Sequence, residues 1–185
     1  MGKGISAFIA VFLWLPASPA LAAELPPPAG QVVLTVAGNI ENTNRGPFDA
    51  FEDAFLNYHS QEFKKAFAFD LAMLEALGLS QTMVTYAGWP KPVVFDGPRL
   101  SDVLKTAGWQ GDKIVILALD GYATELTRAE VMAQNWIVAT KANGRPLGIG
   151  QHGPLWIVYS LPDGQAAAAE DEQSWPWSAF FITVE

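Results

Sequence analysis

A chain of 185 residues without a single cysteine must hold its fold together by packing and hydrogen bonds alone. The same absence removes thiolate metal ligands, iron–sulfur clusters and cysteine nucleophiles. The two histidines, His59 and His152, are too few for most histidine-rich metal sites, so no metal centre is expected. Half of the residues are hydrophobic and only 16% are charged, which excludes a disordered chain and supplies a core. The net charge of −8 comes with no basic stripe, so nucleic acid is an unsuitable partner and anionic membrane surfaces are disfavoured.

The first residues predict export. Lys3 precedes an uncharged apolar run from Ile5 to Leu15, and Pro16 and Pro19 then break any helix before the small-x-small triplet Ala20-Leu21-Ala22. The run is too short for the roughly 20 residues that span a bilayer. Residues 1–22 are therefore expected to be a cleaved signal peptide. Residues 23–30 would follow as a Pro-rich, extended leader with no fold of its own, and 31–185 as a single domain.

Within that domain, Gln31 to Ile40 alternates and is β-branched, which predicts a strand ending at Gly38-Asn39. Asp49 to Phe67 mixes aromatic and charged residues and predicts a helical or irregular excursion. Asp70 and Ser101 are expected to cap short helices that end at Gly78 and Gly108. Further strands are predicted at Thr82–Tyr86, Val93–Phe95 (running into a turn at Asp96-Gly97), Lys113–Leu119, Trp136–Thr140, Pro154–Leu161 and Ser178–Glu185. Asp120-Gly121 is a hairpin signal and Asn143-Gly144 a turn. Thr127 and Glu130 have capping-box spacing. Asp163 to Ser174, rich in alanine and acids, is expected to be a mobile loop. Short helices scattered among many strands predict an α+β fold with a mixed, barrel-like sheet.

No catalytic signature is present: there is no Gly-x-Ser-x-Gly elbow, no P-loop and no His-Glu-x-x-His. The aromatic residues are more informative. Trp89 stands in a Gly/Pro loop, Tyr122 follows the Asp-Gly turn, and Trp175 and Trp177 flank Pro176. Loops that converge would make an aromatic-walled pocket for a flat heterocycle, with Asn44, Arg45 or Asn143 supplying polar contacts. His152, in a loop leading into a strand, is a further candidate contact.

Six stretches, AGNIENTN (37–44), FDLAMLEAL (69–77), VFDGPRLSDVLKTAG (94–108), ALDGYATEL (118–126), ATKANGRPL (139–147) and HGPLWIVYSLPD (152–163), occur in an order that resembles a known family. The chain is similar to the molybdopterin-binding domain of sulfite oxidase-like oxidoreductases, and in particular to their small exported pterin-binding relatives of the PruR type. In the molybdenum enzymes a cysteine just after the strand corresponding to Thr82–Tyr86 coordinates the metal. Here the positions read Thr85-Tyr86-Ala87, so the resemblance implies a cradle for a pterin without molybdenum.

It further implies a non-enzymatic periplasmic protein that reports a reduced pterin to a membrane-bound partner controlling cyclic di-GMP turnover. Trp89, Tyr122, Trp156 and Trp177 would wall the pocket, with Asn44, Arg45 and His152 on the polar edge of the ligand. Phe48 to Ala66 looks like an insertion relative to shorter members. A molybdopterin-dependent oxidoreductase and a ligand-free interaction module are the alternatives.

Overall fold

The structure, a computed structural model, describes residues 25–185. The expected signal peptide lies outside the described residues, and among the described residues no helix is long and apolar enough to cross a membrane.

Two sheets carry the fold. The spine of the larger is β12 (Trp177–Val184), which pairs antiparallel with β5 (Lys113–Ala118) along one edge. It shares its other edge between β10 (Leu155–Val158), antiparallel near its start, and β1 (Val32–Gly38), parallel near its end. β2 (Ala66–Asp70) extends the sheet beyond β1, β7 (Ile137–Ala139) extends it beyond β10, and β6 (Ala123–Thr127) forms the expected hairpin with β5. The second sheet comprises β3 (Ser80–Tyr86), β4 (Val93–Gly97), β8 (Lys141–Ala142), β9 (Arg145–Pro146) and β11 (Ala166–Ala167), in the order β11-β3-β4-β8-β9. The sheets join where Val138 N donates to Pro98 O at 2.8 Å and Thr140 N to Asp96 O at 2.9 Å. Mixed, curled sheets with short helices between them are the α+β architecture the sequence predicts.

Local chemistry sets the helices. Asp70 Oδ1 accepts from Met73 N at 2.8 Å and so caps α2 (Leu71–Ala76). Its other oxygen accepts from Gly30 N at 2.7 Å, and these two donors, Met73 first, hold the carboxyl below its usual range. Residues 25–30 are tied to the domain as well: Asn44 Nδ2 reaches Pro26 O, and Leu25 packs on the core. α3 (Leu100–Ala107) buries Leu100, Val103, Leu104 and Ala107 and ends at left-handed Gly108, as expected. The expected cap, Ser101, lies inside this helix, and Arg99 at the cap position makes no side-chain capping bond. At α4 (Arg128–Ala133) the capping box forms as predicted, with Thr127 Oγ1 accepting from Glu130 N and Glu130 Oε2 from Thr127 N.

Three expectations are corrected. Residues 66–70, placed in part within the excursion, form β2; all five are buried, so no polar alternation marks them as a strand. Asp96-Gly97 is the end of β4 and not a turn. The acidic segment after residue 163 is not an open loop: it contains β11, paired with β3 at Thr85 and Tyr86, and α5 (Ala169–Gln173). The excursion itself holds α1 (Ala54–Tyr58) and packs Leu56 and Phe63 against Leu117 and Phe181, which covers the remaining face of the larger sheet.

Candidate functional site

The PLWIVY run sets Trp156 on β10, where the ring is buried. Phe95 of β4 lies 5.1 Å from it edge-on, Trp89 of the β3–β4 loop 5.3 Å away, and His152 stacks on it at 4.5 Å with 20° between the planes. Trp156 Nε1 donates to Trp175 O at 3.1 Å. Trp89 also meets Tyr86 edge-on at 5.7 Å. Gly88 makes room for that tyrosine, since a Cβ there would sit 2.5 Å from the phenol ring. Trp177 opens β12, meets His152 edge-on at 5.8 Å and remains 41% exposed.

Beside this cluster runs a groove of about 280 Å³, lined by Asp120, Tyr122, Glu172, Gln173, Trp175, Pro176 and Trp177. The β5–β6 turn contributes Asp120 and Tyr122; Asp120 Oδ1 accepts from Tyr122 N at 2.9 Å, the turn role expected of it. α5 contributes Glu172 and Gln173, and Tyr122 Oη donates across to Gln173 O at 2.7 Å. Tyr159 Oη holds the same segment from beneath, donating to Asp171 Oδ1 at 2.7 Å. Burial, and then Asp171, push the Tyr159 hydroxyl up to about 12, so it stays protonated and donating across the neutral range. The segment is a strap fastened by two tyrosines.

Five of the seven residues singled out in the sequence thus fall in one neighbourhood: Trp89, His152 and Trp156 in the cluster, Tyr122 and Trp177 in the groove wall, with Trp175 joining the two. Trp156 belongs to the core and carries the cluster from below.

Asn44 and Arg45 lie outside this neighbourhood. The Asn44 amide is buried, accepts from Ala68 N at 2.7 Å and donates to Ala68 O at 2.8 Å, so it pairs with the edge of β2 as a strand residue would. Arg45 binds both carboxylate oxygens of Asp53 at 2.7–2.8 Å and lies over the Phe63 ring. Asn143 serves its turn, accepting from Val94 N. Sequence reasoning missed Asp120 and Glu172 as groove residues; Trp175 stood among the loop aromatics expected to converge but not among the residues named for the wall, where the structure puts it.

Curled mixed sheets with short helices between them and an aromatic groove at one end make a small α+β domain. Residues 62–161, just over half of the chain, match the model of the oxidoreductase molybdopterin binding domain family, and the chain belongs to that family. Among solved structures it is similar to the sulfane dehydrogenase SoxCD from Paracoccus pantotrophus, with a TM-score of 0.54 and 16% identity over 82% of this chain and 37% of that one. The likeness is therefore one of fold, and the chain spans little more than a third of that protein's length. No curated protein matches the sequence.

The family implies molybdopterin. Where the resemblance places a metal-ligating cysteine stand Thr85, Tyr86 and Ala87, and the Tyr86 ring packs against Trp89. Among the described residues no three of His, Asp and Glu gather as a metal site. The donor set suits a flat ring and does not suit thiolate-held molybdenum.

Proposed function

We propose that this chain is a non-enzymatic periplasmic binding protein for a pterin, and that it signals to a membrane-bound partner controlling cyclic di-GMP. One observation carries the binding reading: a groove walled by Tyr122, Trp175 and Trp177 that also offers polar side chains. A pterin is flat, apolar on its faces and hydrogen-bonding along one edge. Aromatic stacking supplies about 0.5–1.5 kcal/mol beyond area burial, and the polar groups fix orientation. At about 280 Å³ the groove is near the low end of small-molecule sites, which suits one bicyclic ring. Export rests on the signal-peptide sequence of residues 1–22, and the partner on the family resemblance.

Family membership favours the alternative, a molybdopterin-dependent oxidoreductase, but the missing cysteine removes its central ligand. The two readings part in the contents of the purified protein. Protein isolated from the periplasm under reducing conditions is expected to release a pterin, identified by mass spectrometry, and to contain no stoichiometric molybdenum by elemental analysis. About one molybdenum per chain, held by ligands other than cysteine, would overturn the binding-protein reading and favour the oxidoreductase.

A further inference from the structure

We infer that the groove selects an unphosphorylated pterin, reading its amide edge through the carboxylates of Asp120 and Glu172 and turning away phosphate esters of the same ring. This rests on the groove being the pterin site and adds which form of pterin it accepts.

Two observations converge. First, the lining contains two carboxylates and no cation. A phosphate ester carries about −1.5 to −2 charge at pH 7 and is ordinarily held by arginine, lysine or a helix N-terminus. Here it would meet like charges within a chain whose net charge is already −8. Second, the carboxylates have capacity to spare. Asp120 uses Oδ1 on Tyr122 N, and the Glu172 carboxylate has no partner among the described residues, whereas neighbouring Asp171 is engaged by Tyr159 and Ala168. An ionised carboxylate is an acceptor only and takes two parallel N–H groups, which is what the amino and ring N–H of a pterin edge present.

The wall therefore holds acceptors that complement the N–H pair of that edge.

The test is a fluorescence titration of the full chain with dihydroneopterin and, separately, with its monophosphate ester. Wild type, Asp120→Asn, Glu172→Gln and the double variant are compared, with thermal melts of each. The amides keep the shape of the side chains, and the Asp120→Asn substitution leaves a carbonyl oxygen to accept from Tyr122 N. Wild type is expected to bind the free pterin about tenfold or more tighter than the ester. The double variant is expected to lose about tenfold for the free pterin and to bring the two probes within about threefold of each other, with melting unchanged. If wild type binds both probes equally, or the variants keep the preference, the inference falls while the pterin reading stands. If wild type binds neither probe, the pterin reading falls and takes the inference with it.

Discussion

Replacing Trp156 by alanine is expected to cost about 3–5 kcal/mol of folding stability, the usual range for a core tryptophan or phenylalanine cut to alanine. The ring is 6% exposed and packs between the sheets against Phe95 and Trp89, with His152 stacked on it. Its removal leaves a cavity that strands on either side cannot collapse into, and it strips Trp175 O of the Nε1 donor. A domain of this size has about 5–15 kcal/mol in total, so the loss is a large fraction of it. Urea unfolding is the measurement: the midpoint should fall steeply with little change in slope. A loss below about 1 kcal/mol would show that the cluster is not part of the core.

Gly97→Ala is expected to be as damaging, for a different reason. The residue ends β4 where it crosses β7, and a Cβ there would lie 2.0 Å from Val138 O and 2.7 Å from Ala139 Cα. Both obstacles are backbone, so neither can swing aside as a side chain would. Overpacking of this kind costs about 1–3 kcal/mol and sometimes more; with backbone on both counts the expected loss is about 3 kcal/mol or greater. The strain falls on the Val138–Pro98 bond that joins the sheets, so unfolding should remain cooperative with a lower midpoint. A thermal melt matching wild type would contradict the close approach of β4 and β7.

Where structure follows from neighbouring residues, the sequence is legible. The β-branched runs of β1, β5 and β12 and the caps at Asp70 and Thr127–Glu130 are settled by side chains a few positions apart. β2 is not legible, because burial on both faces erases the alternation that would reveal a strand. Nor is the strap, because the hydroxyls that fasten it, Tyr122 to Gln173 and Tyr159 to Asp171, lie 51 and 12 residues away along the chain. The site divides in the same way. Tryptophans in Gly/Pro loops announce themselves, whereas Asn44 and Arg45, polar and in a loop, are consumed by Ala68 and Asp53. Asp120 reads as a turn residue and is one; that it also lines the groove depends on α5 folding over it. The molybdopterin-domain resemblance is matched by the family itself, and the narrower pterin-binding role stands as the proposal.

A pterin seated against Trp177 is tested most directly by an anaerobic calorimetric titration with dihydroneopterin. Wild type should saturate at one ligand per chain. Trp177→Ala should bind about tenfold more weakly or worse, equivalent to about 1.4 kcal/mol, because both stacking and apolar burial are lost. Its melting temperature should change little, since the ring is 41% exposed and not part of the core. Wild type that takes up no dihydroneopterin, or a Trp177→Ala variant that binds it as tightly as wild type, would contradict the account.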